Sequence, residues 1–151
     1  KFFCRVSYNT LIIGSKLYKI VRNGAFVVGE GENALFPGER LLIEPCPFPE
    51  CFFPADSLTQ YADMDGVLGA EVRTRRDGDT FRPLGMKGEK SLSDWMIDAK
   101  VPREERDGPL LCRGSRVLWI VGRQMGEDIK ISAGSIPCRM TYFFTEEENG
   151  E

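Results

Sequence analysis

Residues 117–121 read Val-Leu-Trp-Ile-Val, an unbroken apolar run that follows Leu110-Leu111-Cys112 across an Arg-Gly-Ser-Arg turn at 113–116. A strand with one solvated face alternates apolar and polar residues, whereas a continuous apolar run marks a strand buried on both faces. Such a strand needs cover on each side. The chain has the material for it, since 42% of its 151 residues are hydrophobic. That length suits one domain or two small lobes.

The first third reads as β-hairpins. Residues 2–8 and 11–13 flank an Asn9-Thr10 turn, and residues 17–21 and 25–28 flank Arg22-Asn23-Gly24, whose Asn-Gly is a strong hairpin signal. Pro37-Gly38 predicts a type II turn between 34–36 and 41–44. Prolines at 45, 47, 49 and 54 then interrupt regular structure, leaving room for one short strand at 51–53. Asp56-Ser57 is placed to cap a helical turn over 58–61 that Gly66 ends. From Ala70 the pattern changes. Val72 and Thr74 alternate with Arg73 and Arg75, which puts both arginines on one face of a strand.

Residues 79–107 hold the densest signals. Pro83, Gly85 and Gly88 predict a loop, and Gly78 a turn before it. Ser91 and Asp94 make a capping-box-like start, and Leu92, Trp95, Met96 and Ala99 share one helical face. The helix over 91–100 must end before Pro102, which suits the first position of a second short helix over 102–107. Strands at 129–131 and 139–144 complete the sheet, and the acidic residues 146–151 are expected to be a disordered tail. The fold class is therefore α+β: a β-hairpin-rich part over 1–68 and an α+β module over 69–145 with a β-sandwich-like core.

Several function classes are excluded. The chain has no His, which removes the commonest general base. Five irregularly spaced cysteines form neither a disulfide framework nor a zinc pattern, so they read as reduced thiols in a cytoplasmic protein. No apolar run reaches the ~20 residues of a membrane span, and residues 1–4 lack a signal-peptide pattern. The chain does not begin with Met and reads as a segment of a longer protein. Gly85-Met86-Lys87-Gly88 fits neither a P-loop nor a dinucleotide fingerprint. Asp94 and Asp98 share a helix face, but a solvated face with a capping carboxylate accounts for them. No catalytic residue and no metal ligand is assigned.

The net charge of −3 is unevenly spread. Residues 1–29 hold five bases and no acid, and residues 30–68 hold Arg40 against eight acids. Around the central loop lie Arg73, Arg75, Arg76, Arg82, Lys87, Lys90, Lys100, Arg103 and Arg106. Cations of this kind contact phosphates and 2′-hydroxyls, and glycines let a sugar-phosphate chain approach backbone. Glu89, Asp94, Asp98, Glu104 and Glu105 are interleaved, so a solvated charged face explains the composition equally well.

An ordered pattern shifts the balance toward the first. Arg73, Arg75, Gly78, Asp79, Phe81, Pro83, Gly85, Gly88, Lys90, Asp94, Asp98, Lys100, Pro102, Arg103 and Arg106 follow R-x-R-x-x-G-D-x-F-x-P-L-G-M-x-G-x-K-x-L-x-D, then D-x-K-V-P-R-x-x-R. This resembles the C-terminal module of the tRNA(Ile)-lysidine synthetase family, and the match covers about a third of the chain. The resemblance implies a parent ligase that uses ATP, with Mg, to adenylate a wobble cytidine of tRNA(Ile), which lysine then attacks. Catalysis would lie in an N-terminal domain with an S-G-G-x-D-S loop, a motif missing from these 151 residues. This chain would contact the tRNA body and acceptor stem through the nine cations and bind no cofactor itself. Its partners would be tRNA(Ile) and the catalytic domain. The alternative is a docking or dimerisation domain of the same enzyme with little RNA contact. The sequence departs from the pattern at Gly122-Arg123-Gln124-Met125, where the family often reads G-L-R-I, and at Trp95-Met96, which suits a core role.

Overall fold

The computed structural model describes residues 2–7, 10–13, 16–19, 22–49, 56–144 and 146–149. The strands are β1 (Phe2–Ser7), β2 (Thr10–Ile13), β3 (Lys16–Lys19), β4 (Phe26–Val27), β5 (Gly31–Ala34), β6 (Glu39–Pro45), β7 (Thr59–Asp63), β8 (Glu71–Arg73), β9 (Thr80–Phe81), β10 (Lys90–Ser91), β11 (Leu110–Arg113), β12 (Arg116–Ile120), β13 (Gln124–Met125), β14 (Pro137–Phe144) and β15 (Glu146–Asn149). The helices are α1 (Met64–Val67) and α2 (Leu92–Asp98), so the fold is α+β.

Three sheets form. One runs β15-β1-β2-β3; a seven-stranded sheet runs β10-β9-β12-β11-β8-β4 with β13 on β12; a third runs β5-β6-β14-β7. The run at 117–121 lies at the centre of the seven-stranded sheet, and all five residues are buried. Its two faces pack against different partners. Leu111, Leu118, Trp119 and Val121 join Leu41, Ile43, Met140 and Tyr142 of the third sheet. Leu110, Cys112, Val117 and Ile120 join Phe81, Leu92, Met96 and Val101 beneath α2. The order of layers is thus helix, sheet, sheet.

A β-bulge sets this division. Leu111 opposes Trp119 but Cys112 opposes Val117, which leaves Leu118 as the extra residue. Leu118 and Trp119 therefore face the same core in succession. The Leu118 carbonyl accepts from the Gly126 amide at 2.7 Å, and a Cβ at 126 would sit 2.8 Å from that same oxygen. Only glycine fits there.

Several expectations hold and several do not. The Pro37-Gly38 turn forms, closed by Glu39 N donating to Phe36 O, and β5 pairs antiparallel with β6. The hairpin at 110–120 also forms. β1 and β2 pair around the first predicted turn, whose Asn9 lies outside the described residues, as do residues 51–53. The hairpin around Arg22-Asn23-Gly24 does not form: β4 pairs with β8, not β3. Tertiary contacts override the turn signal there, because Arg22 is buried against Glu39 and Phe26 packs edge-to-face on Phe36.

The turn at Asp56 leads into β7 rather than a helix. The Asp56 carboxylate accepts from Leu58 N, and Thr59–Asp63 then pairs with β14. The helix comes later, as α1, with Gly66 inside it, where a Cβ would lie 3.1 Å from Ile129 Cγ2. Residues 129–131 are not a strand, because Glu127–Ile129 is a 3₁₀ turn that buries Ile129. The second short helix is likewise a 3₁₀ turn, Arg103–Glu105. Residues 146–149, part of the tail over 146–151 expected to be disordered, form β15 on β1. Strand pairing there uses main-chain groups that any composition supplies. Among the described residues, those on both sides of position 68 share one interior. β14 inserts between β6 and β7, and one core contains Phe36, Leu41 and Ala62 beside Val72, Trp119 and Tyr142.

Candidate nucleic-acid interface

The central loop runs from β9 to α2 and is anchored at many points. Pro83-Leu84-Gly85-Met86 is a turn closed by Met86 N to Pro83 O at 3.0 Å, with Gly85 at φ +85° where a side chain would be strained. Leu84 N donates to Met125 O, and Gly85 N donates to the Glu127 carboxylate at 2.8 Å. Lys130, first, and this Gly85 amide hold the Glu127 carboxyl below its ordinary 4.5. Arg82 and Arg116 both bond Asp128, at 2.9 Å each, and Arg116 also pairs with Glu89. The tip at 85–88 therefore projects from a fixed frame, and its residues are exposed.

α2 begins as the sequence indicates. The Ser91 Oγ accepts from Asp94 N at 3.1 Å. Leu92 and Met96 are buried, and Trp95 meets Phe81 edge-to-face at 5.4 Å. The helix ends in a Schellman motif: Lys100 N donates to Ile97 O and Val101 N to Met96 O, with Met96 and Val101 in one apolar cluster. The left-handed position is filled by Lys100 at φ +56°, where glycine is usual.

The nine cations separate into three groups. Arg73 is a structural residue. It is 2% exposed, with its guanidinium forked onto both Asp79 oxygens at 2.8 and 2.9 Å and bonded to the Thr74 and Gly114 carbonyls. It does not share a solvent face with Arg75, because β8 ends at Arg73. Gly78, at φ +88°, makes the turn that returns Asp79 to it. Gly88, by contrast, has no positive φ and open space where its side chain would be.

The second group is paired at the surface. Arg75 bonds Asp107 at 2.9 Å, Arg82 bonds Asp128, Lys90 bonds Asp98 at 2.8 Å, and Arg106 donates to the Val101 carbonyl. The third group, Arg76, Lys87, Lys100 and Arg103, is exposed and has no ion-pair or hydrogen-bond partner for its side chain among the described residues. Lys87 precedes α2, Lys100 and Arg103 follow it, and the Lys90–Asp98 pair ties the two ends together. Arg76 lines a polar cleft of about 350 Å³ beside α2, with Arg75, Ser91, Ser93 and Asp107.

Residues 70–142 match the model of the TilS substrate C-terminal domain, and a crystal structure of a TILS C-terminal domain aligns with 85% of this chain and 98% of its own length, at TM-score 0.60 and 26% identity. The chain belongs to the TilS C-terminal domain family. Among curated proteins, the tRNA(Ile)-lysidine synthase of Dehalococcoides mccartyi is 40% identical over 112 residues, 72% of this chain and 24% of that relative. The Geobacter sulfurreducens tRNA(Ile)-lysidine synthase is 35% identical over 132 residues, 85% of this chain and 28% of the relative. The Caldanaerobacter subterraneus one is 46% identical over 74 residues, 48% of this chain and 16% of the relative. The chain thus spans about a quarter or less of most of these relatives.

In this TilS C-terminal domain the R-x-R-x-x-G-D segment joins a structural arginine to a surface one. Sequence reasoning placed Arg73 and Arg75 together and did not register the framing role of Arg116, Asp128 and Glu127. Their partners lie 12 to 46 residues away in the chain, a separation at which no local pattern connects them. Arg123, where the family pattern is broken, pairs with Glu105 and clasps the 3₁₀ turn to the end of β12.

Proposed function

We propose that this chain is the non-catalytic, tRNA-recognising part of a tRNA(Ile)-lysidine synthase. The parent would use ATP and lysine to convert the wobble cytidine of tRNA(Ile) to lysidine in a separate catalytic domain. No residue of this chain is assigned to ATP or magnesium. The observation that carries the reading is the survival of four unpartnered cations, Arg76, Lys87, Lys100 and Arg103, around α2 in a chain of net charge −3 whose other central-loop cations are engaged by carboxylates or, for Arg106, by a backbone carbonyl. Free cations of this kind release condensed counterions when they meet phosphates. Lys100 adds weight, because a lysine occupies a strained position that a glycine would fill at lower cost, and such outliers concentrate at functional sites.

The test is tRNA(Ile) affinity measured against salt. Lys87→Ala, Lys100→Ala and Arg103→Ala are each expected to weaken binding and to reduce the slope of log K on log salt by about one. Arg75→Ala, which removes a cation already paired with Asp107, is expected to change the slope less. Wild-type affinity and slope in all three free-cation variants would disprove the assignment.

A further inference from the structure

A hollow of about 210 Å³ opens where the third sheet meets the central loop, lined by Tyr61, Leu84, Gly85, Met125, Glu127, Lys130 and Ile131. Its lining is mainly apolar, yet no described side chain fills it. Tyr61 comes from β7, at the edge of its sheet, and its ring has no ring partner among the described residues. Gly85 presents bare backbone, with nothing within 4 Å of where a Cβ would stand. Met86, 50% exposed, and the unpartnered Lys87 follow directly.

One unpaired charge lies next to the hollow along the chain, Lys87, and it favours an anionic occupant. Lys130 lines it, Arg139 lies opposite Tyr61 in the β14–β7 register, and Lys87 is two residues from Gly85. The acids nearby are already engaged: Glu127 by Lys130 and the Gly85 amide, Glu44 by Arg139, and Asp128 by Arg82 and Arg116. Protein interfaces are depleted of charge at their cores. An aromatic side chain lining an open hollow beside a free lysine and bare backbone is instead how proteins hold single-stranded nucleic acid.

We propose that this hollow receives one unpaired nucleobase of a bound RNA, stacked on Tyr61, with Lys87 on the adjoining phosphate. The proposal rests on the RNA-recognition reading above and specifies what that reading leaves open: an unpaired nucleotide, and not only the backbone of a helix, is gripped. Met86, exposed and next to Gly85 in the chain, would cover the edge of the ribose.

The chain is titrated with oligoadenylate, with a blunt-ended RNA duplex and with a tRNA(Ile) transcript. Tyr61→Leu retains apolar bulk on β7 while removing the ring, and Tyr61→Phe retains the ring. Tyr61→Leu is expected to weaken oligoadenylate binding about ten-fold at an unchanged salt slope, with Tyr61→Phe like wild type and the duplex bound equally by all three. An oligoadenylate carrying 2-aminopurine is expected to lose fluorescence on binding the wild-type chain, a readout independent of variant folding. Wild-type oligoadenylate affinity for Tyr61→Leu, or 2-aminopurine fluorescence unchanged on binding, would overturn the proposal. If the transcript is still bound in a salt-sensitive way in that case, only the hollow has failed. A chain that binds neither transcript nor oligoadenylate would remove the underlying reading as well.

Discussion

Arg73 donates four hydrogen bonds, two to Asp79 and two to backbone carbonyls, and Asp79 also accepts from the Arg76 amide. Both side chains of the pair are 2% exposed, so neither has water to fall back on. Removing one member leaves an uncompensated buried charge, which costs about 3–5 kcal/mol. Asp79→Ala is therefore expected to lower the free energy of unfolding in urea by that amount, and Arg73→Lys to be poorly tolerated because an ammonium cannot reproduce the fork. A variant with an unchanged urea midpoint would show that the pair does not hold the turn. Arg22, Glu39 and Tyr142 form a similar buried group, with Tyr142 Oη donating to Glu39 at 2.6 Å. Burial pushes the Tyr142 phenol up, as does the Glu39 carboxylate beside it. Neither arginine is available to a ligand at the surface.

α2 is a short helix whose stability comes from its ends and its buried face. Ser91 satisfies one amide at the start, and the Schellman bonds satisfy two carbonyls at the finish. The misfit is Lys100. A non-glycine residue in left-handed backbone costs roughly 1–2 kcal/mol, from which the greater chain entropy of glycine subtracts about 0.5–1 kcal/mol. Lys100→Gly is thus expected to stabilise the chain by up to about 1 kcal/mol, read as a raised melting temperature, while weakening tRNA(Ile) binding. A glycine variant that melts higher and binds as tightly as wild type would mean that Lys100 has no part in recognition. The bulge at Leu118 shows the same dependence of an element on a distant residue, since Gly126 alone permits the close approach that stabilises it.

Across the molecule, the seven-stranded sheet is covered on one face by α2 and on the other by strands drawn from residues 31–63 and 137–144. β14 lies between β6 and β7, so the core around Trp119 is closed only when residues before 68 and after 136 meet. A polypeptide of residues 69–151 would lack β5, β6 and β7 and expose Trp119, Met140 and Tyr142. It is expected to show no cooperative thermal transition by near-ultraviolet circular dichroism, whereas the full chain should. A sharp transition in the shorter piece would show that the two parts fold independently.

The apolar run at 117–121, the Ser91 cap, the face of Leu92 and Met96 and the Pro37-Gly38 turn were all legible because each is written in neighbouring residues. Local chain geometry needs nothing further to express them. The family was legible for the same reason, as an ordered string between Arg73 and Arg106. What tertiary structure alone decided was which charges are spent inside the fold. Arg73 and Lys87 are equivalent as letters. The difference between them is burial and the position of Asp79, set by a turn at Gly78 and a strand across the sheet. The pairing of β4 with β8, the frame of Arg82, Asp128 and Arg116 behind the central loop, and the hollow that Tyr61 lines likewise depend on residues far apart in the chain. Desolvation and pairing act on distances in space, and those exist only once the sheets have closed.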